Sequence, residues 1–245
     1  MKLYCLACEV LARPLYLSAA RSAHIVDIQL IQRGLHNQPA KLRNVLQAAV
    51  DAASQKAYDT IALGYGLCGQ ATAGLVARNL PLVIPKAHDC ITLFLGSRAR
   101  YQEQFDQFPG TYWYAQDYIE RDDGSGASLA LGSGLDTNAD QIYAEYVEKY
   151  GQDNADYLME VMGAWKQHYS RAAYIDLGVG DGSAVEAKAQ EQAARRGWSF
   201  DRVAGDMVLL RRLLEGDWEK DFLILQPGQK LVMTYDDEVI GCKFV

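Results

Sequence analysis

Short apolar runs alternate with amphipathic stretches from the first residues of this chain, and that alternation limits its fold more than any other feature. Residues 3–7 read as a buried strand and residues 10–20 as a helix. Residues 24–31, rich in Ile and Val, read as a second strand. Pro39 opens an amphipathic helix over residues 40–54, with Leu42, Val45, Leu46, Ala49 and Val50 on one face. Strands are expected at 60–65 and 82–85. A short helix is expected to begin in the glycine-rich segment after Cys68, then a helix over 91–105 and an aromatic strand over 111–115. Such alternation builds a mainly parallel sheet with helices on both faces. The expected class is therefore α/β and Rossmann-like, as one sheet or as two α/β lobes.

Residues 122–138 are rich in Gly, Ser and Asp and carry no periodicity, so they read as a loop or boundary. This divides the chain into an α/β lobe over 1–121 and a second unit over 139–245 that completes or abuts the first. In the second unit, helices are expected at 140–150 and 155–169, a strand at 173–177 and a helix at 183–196. A strand at 200–203, a helix at 207–215 and strands at 221–226 and 230–235 follow, the last two joined by a turn at Pro227-Gly228.

Three cysteines fall where an expected strand gives way to a helix: Cys8 in Cys-Leu-Ala-Cys-Glu, Cys68 in Gly-Tyr-Gly-Leu-Cys-Gly, and Cys90 in Ala-His-Asp-Cys. The carboxyl ends of parallel strands open onto one edge, so the three thiols are expected to share a site there. Thiolates that meet in a reduced protein hold a metal or do sulfur chemistry. Gly66 and Gly69 allow close backbone approach, and a helix start after Cys68 would favour its thiolate. The set Cys8, Cys68, Cys90 and His88 suits zinc, slightly preferred, or a [4Fe-4S] cluster with one open iron. Asp89, Glu9, His36 and His88 are the candidates for proton transfer. Set against this, a free cysteine commonly packs as a small hydrophobe. Cys5 and Cys242 are read that way or as unrelated to the site. His24 and His168 read as solvent-edge residues.

Bulk properties narrow the function. The 245 residues suffice for one large or two small domains. A net charge of -7 argues against a nucleic-acid partner, because a phosphate footprint needs surplus Lys and Arg. Five cysteines do not suggest a disulfide scaffold. Glu9, Arg13 and Arg21 interrupt the first apolar run too soon for a secretory leader, and no run is long enough to span a membrane. A cytoplasmic protein acting on a small-molecule substrate is expected, with no membrane partner.

Two further segments carry a signal. Asp176-Leu-Gly-Val-Gly-Asp-Gly resembles the glycine-rich motif of S-adenosylmethionine-dependent methyltransferases, with Asp201 as the nearest ribose-binding acid. A plain strand-to-helix turn is the favoured reading. Tyr112, Trp113, Tyr114 and Tyr118 form an aromatic cluster that either packs as core or walls a pocket beside Cys90.

Several segments together resemble one bacterial and archaeal family, the domain of unknown function 1638. They are Ala7-Cys8-Glu9, Leu35-His36-Asn37-Gln38-Pro39, the Tyr-Gly-Leu-Cys-Gly and His-Asp-Cys motifs, Pro109-Gly-Thr-Tyr112, Gly205-Asp206, Leu-Leu-Glu-Gly-Asp-Trp and Pro227-Gly228. Members of that family are encoded beside corrinoid-dependent methyltransferase systems. The resemblance therefore implies one-carbon metabolism, and a corrinoid protein or methyltransferase as partner. Three functions follow from the sequence. One is a metal-dependent enzyme of methyl-group or sulfur metabolism. Another is a non-enzymatic metal- or corrinoid-binding accessory protein. The third is an S-adenosylmethionine-dependent methyltransferase.

Overall fold

The structure, a computed structural model, describes residues 1–121, 147–148, 151–152, 169–236 and 238–245. The expected helices over 140–150 and 155–169, the loop over 122–138 and His168 lie wholly or mainly outside those residues.

The first sheet is built as the alternation demands. Its strands are β1 (Lys2–Cys8), β2 (Ile25–Ile31), β3 (Thr60–Gly64) and β4 (Leu82–Pro85), joined at one edge by β8 (Phe222–Leu225). Their order is β2-β1-β3-β4-β8; the first four run parallel and β8 runs antiparallel to β4. A period of two sends alternate side chains to opposite faces. Tyr4, Leu6, Ile61, Leu63, Leu82 and Ile84 enter one core, and Cys5, Ala7, Ala62 and Val83 enter the other. Helix α2 (Pro39–Ala53) covers the first face through Leu42, Leu46 and Val50. Helix α1 (Ala12–Arg21), with Leu15, and the later helix Val208–Glu215 cover the second.

Expectation and structure differ where tertiary contacts intervene. The single helix expected over 91–105 is two, α3 (Cys90–Leu95) and α4 (Arg98–Gln107). Between them Gly96 adopts a left-handed φ of 74°, where a Cβ would lie 2.7 Å from the Asp206 Cβ. The chain breaks there to admit Asp206, whose N–H donates to Phe94 O at 2.8 Å. No helix starts after Cys68. A short turn over Glu9–Leu11, the one-turn helix α5 (Gln116–Glu120) and a final strand β10 (Ile240–Phe244) were not anticipated.

A second, parallel sheet of order β5-β6-β7 comprises Thr111–Ala115, Arg171–Asp176 and Ser199–Ala204. Helix α6 (Ser183–Arg196) packs on it through Val185, Ala189 and Ala193. The helix Val208–Glu215, here α7, then leads the chain back to the first sheet. An antiparallel hairpin of β9 (Gln229–Met233) and β10 closes the α2 side, burying Leu231 and Ile240. Each half of the chain thus lends a strand to the other: β5 pairs with β6, and β8 pairs with β4. Among the described residues, no helix is long and apolar enough to cross a membrane.

Candidate functional site

In the order β2-β1-β3-β4 the direction of winding reverses between β1 and β3. At such a switch point the connections leave to opposite sides, and the carboxyl ends of the strands are left open to a ligand. Cys8 is the last residue of β1. The register Ala7↔Gly64 makes Tyr65, just past β3, its neighbour across the sheet. Cys68 follows on the same loop, and Cys90 opens α3 beyond β4. The three strand-end cysteines are thus carried to one edge, on adjacent strands.

Backbone contacts lock two of their loops together. Leu67 N–H donates to Ala87 O and Cys68 N–H to His88 O, both at 2.8 Å. Gly66 is where these loops touch: a Cβ there would lie 2.7 Å from Asp89 N and 2.8 Å from Ala87 O. The chain then turns through Cys68, Gly69 and Gln70 with φ of 48°, 61° and 68°. Three consecutive left-handed residues cannot begin an α-helix, and two of them carry a Cβ, a costly conformation kept only where surroundings impose it. The Thr72 hydroxyl donates to Gly66 O at 3.1 Å and helps hold this turn.

This geometry corrects the expected thiol chemistry. Without a helix N-terminus behind Cys68, only a backbone hydrogen bond from Gly66 opposes its desolvation. Burial pushes its thiol up, and Cys8 and Asp89 push it further. Burial likewise takes Cys8 to about 11, with Glu9 raising it and Arg33 and Arg121 lowering it. Cys90 is pushed well up by burial and by Asp89, Cys68 and Cys8. Cys8 thus acts on Cys68, and both act on Cys90, as a shared edge allows, and all three are protonated at neutral pH.

The other candidates hold this edge in place. Asp89 caps α3, its Oδ1 accepting from Ile91 N–H at 3.0 Å and Thr92 N–H at 3.2 Å; burial raises its pKa, and those bonds oppose the rise. His88 is exposed, its ring 6.1 Å from that of Tyr101. Glu9 Oε1 accepts from Arg33 N–H at 2.8 Å. His36 Nδ1 lies 2.5 Å from Arg33 O, so one ring nitrogen is engaged within its own turn. Gly69 lies exposed, with open space where a Cβ would stand.

Residues not proposed as site residues from the sequence complete the edge. Arg33 is buried; its Nε donates to Arg121 O at 3.2 Å and its guanidinium lies 4.7 Å from the Tyr118 ring centroid. Asp117, also buried, accepts from Arg13 and from Arg121 Nε, fixing α5 against α1. Tyr65 and Tyr118 are buried, and neither hydroxyl has a hydrogen-bond partner among the described residues. The one sequence signal for Arg33 was a lone cation just past an apolar strand. Tyr118 belonged to the aromatic cluster, which the fold divides. Tyr114 is buried in the core, Tyr118 is buried beneath the Arg33 guanidinium, and Tyr112 and Trp113 line a separate cavity of about 200 Å³ with Ile91, Tyr101, Phe105 and Tyr169.

The loop over 176–182 lies at the end of β6. Asp176 accepts from Gly178 N–H at 2.9 Å and pairs with Arg202 at 2.5 Å. A Cβ at Gly182 would fall on the Tyr174 hydroxyl. Asp201 sits within β7 opposite Ala173 and pairs with Arg171 at 2.5 Å.

A family model described as "Protein of unknown function (DUF1638)" matches residues 30–214 of the chain. The chain belongs to the DUF1638 family. The matched part of this DUF1638 protein holds Cys68, Cys90, Arg33 and both tyrosines, whereas Cys8, Glu9 and Pro227-Gly228 lie outside it. No curated protein and no solved structure matches the chain.

Thiols are soft donors, and three of them match zinc or an iron–sulfur cluster in kind. Their spacing is another matter. Among the described residues, no group of three or more His, Cys, Asp or Glu side chains is gathered to hold a metal ion. Chelation therefore requires the three side chains to turn toward one another.

Proposed function

We propose that this DUF1638 protein is a metal-dependent enzyme whose centre is held by Cys8, Cys68 and Cys90, in methyl-group or sulfur metabolism. The observation that carries the reading is that the loops at the switch point of a parallel sheet bring three thiols to one edge, where Cys8 acts on Cys68 and both act on Cys90. Burial above all, then Cys8 acting on Cys68 and both acting on Cys90, keeps the set protonated alone. A cation that replaced those protons would relieve the mutual repulsion of three thiolates, which is why metal uptake by such a set releases protons. The donor set favours zinc slightly over a [4Fe-4S] cluster. Either would supply an electrophilic position for a substrate sulfur or oxygen.

The chain's own residues define the rest. Gly66 keeps the Cys68 and Cys90 loops in contact, Asp89 fixes the helix that presents Cys90, and Glu9 holds the turn that carries Arg33. His88, exposed on the rim, is the group free to exchange protons with solvent or to serve as a fourth ligand. Free thiols throughout the described residues suit a reducing, cytoplasmic setting. The same centre would serve an accessory protein that hands a metal or corrinoid to a methyltransferase partner; activity without a partner separates the two. S-adenosylmethionine is not expected to bind at residues 176–182, where the loop's polar groups already serve one another and Arg202.

The deciding experiment is metal and acid-labile sulfide analysis on protein purified without oxygen, beside Cys68→Ser. About one zinc per chain, lost in the variant, supports the zinc reading. Iron with sulfide and visible absorbance supports the cluster. No metal in either protein overturns the centre.

A further inference from the structure

The cavity of about 200 Å³ is lined, among the described residues, chiefly by aromatic rings. Tyr101, Phe105 and Phe108 come from α4 and its end, and Tyr112, Trp113 and Tyr169 from β5 and the approach to β6. Ile91 joins them directly after Cys90, and the Tyr101 ring lies 6.1 Å from that of His88, so the cavity adjoins the cysteine edge. On α4, Tyr101 and Phe105 stand one turn apart with their rings 17° from parallel and 6.5 Å between centroids. Phe105 and Phe108 remain 53% and 41% exposed. A concave aromatic lining with two rings still open to water has the form of a ligand site rather than of a finished core.

The walls are held before any ligand arrives. Arg171 is buried, and its Nε donates to Asp201 of β7 at 2.5 Å, while its Nη1 donates to Gln104 of α4 at 3.0 Å and to Thr111 of β5 at 3.3 Å. One buried side chain thus ties α4, β5 and β7 together, which lowers the cost of ordering a site between them. The same guanidinium lies 4.0 Å from the Phe108 ring centroid and 5.9 Å from that of Trp113, and the Arg196 guanidinium lies 5.9 Å from that of Tyr112. Three of the six rings therefore already have a cation against them, and a cationic ligand would be repelled by it. Among the described residues no Lys, Arg, His, Asp or Glu lines the cavity, so a full charge of either sign would be desolvated there without a partner. A neutral ring meets neither penalty, and gains burial and offset or edge stacking. A cavity of about 150 Å³ suffices for benzene. This one has room for a substituted six-membered ring or a bicycle of indole's size, and not for a helix or strand of a partner protein.

We propose that this cavity is a binding site for a small molecule carrying a neutral aromatic ring. The site lies beside the proposed cysteine centre and needs neither its thiols nor a metal.

The test is equilibrium dialysis of the full chain against phenol and indole. Cyclohexanol, which has the size of phenol without its π-system, and tetramethylammonium serve as comparison ligands. Phe105→Leu, Phe105→Ala and Cys68→Ser are dialysed alongside, and the melting temperature of each is recorded. Phenol and indole are expected to bind saturably at about one per chain, and cyclohexanol about tenfold more weakly than phenol. Phe105→Leu keeps apolar bulk and removes the ring, so indole should bind it about threefold to tenfold more weakly. Phe105→Ala should weaken it further. Because Phe105 is half exposed, both variants should melt within about 2 °C of the wild type. Cys68→Ser should bind phenol like the wild type, whatever its metal content, which separates this site from the cysteine centre. A wild type that binds neither ring saturably overturns the proposal. So does cyclohexanol bound as tightly as phenol, tetramethylammonium bound more tightly than phenol, or binding lost in Cys68→Ser alone. Folded Phe105 variants that bind indole like the wild type overturn it too. A dimer in light scattering that Phe105→Ala dissociates would mean that a second copy of the chain fills the cavity, and would also overturn it.

Discussion

At the scale of single residues, the thiols of this site differ from activated cysteines: Cys8 and Cys68 have no α-helix start behind them, and Cys90, the first residue of α3, is set against burial and the Asp89 carboxylate. Cys8 stands at about 11, raised chiefly by burial, against an ordinary 9.0. In metal-free protein, alkylation by iodoacetamide is therefore expected to be slow at pH 8 and to accelerate toward pH 11, following the thiolate. Fast labelling at neutral pH would contradict the burial. The same shift links to stability. A thiol whose folded pKa exceeds its unfolded value binds more protons when folded, so its contribution is complete below pH 9 and lost as pH rises through 11. Urea midpoints should fall across that window, and Cys8→Ala should flatten the fall. Gly66 is the least replaceable residue nearby. Gly66→Ala forces backbone atoms of Ala87 and Asp89 to move, and a loss of about 1–3 kcal/mol is expected in denaturant titration.

At the scale of elements, Asp89 shows how a motif can look catalytic and act as a cap. Its carboxylate accepts two backbone N–H groups at the start of α3, the six-residue helix that presents Cys90. Asp89→Ala should cost about 1 kcal/mol, the usual worth of an N-cap, and Asp89→Asn should restore most of it. If Asn restores stability but not activity, the carboxylate has a role beyond the cap. The same helix explains Gly205-Asp206, a motif with no evident chemistry in the sequence. Gly205 packs on Phe94 O, Asp206 N–H bonds the same carbonyl, and the Asp206 carboxylate accepts from Val208 N–H at 2.8 Å. The second half of the chain thereby holds α3 from behind.

At the scale of the whole molecule, the exchange of strands makes the two halves interdependent. Phe222 and Leu225 of β8 are buried in the first sheet's two cores, and Leu231 and Ile240 of the hairpin close the α2 side. Residues 1–121 alone would leave β4 without β8, β5 without β6 and α1 without α7. That fragment is expected to lack a cooperative urea transition, whereas the whole chain shows one. A cooperative transition in the fragment would mean that the first lobe folds on its own.

Local pattern was enough for the parallel framework. The alternation on β1, β3 and β4 and the apolar face of α2 depend only on neighbours in sequence, and the placement of Cys8, Cys68 and Cys90 at strand ends followed from it. The break at Gly96 was not legible, because its cause is Asp206, more than a hundred residues away. The left-handed turn at Cys68 was misread as a helix start because glycine-rich segments serve both, and only the contact of Gly66 with residues 87–89 decides between them. Arg33 carries no motif, Tyr65 lies inside the motif that carries Cys68, and Tyr118 sits in the aromatic cluster; what sets them apart is burial without a hydroxyl partner among the described residues, or burial with a charge. The sequence determined which residues could reach one sheet edge, since strand period and connection length are local. The tertiary structure alone decided which side chains are buried around them, since burial is a property of the assembled layers.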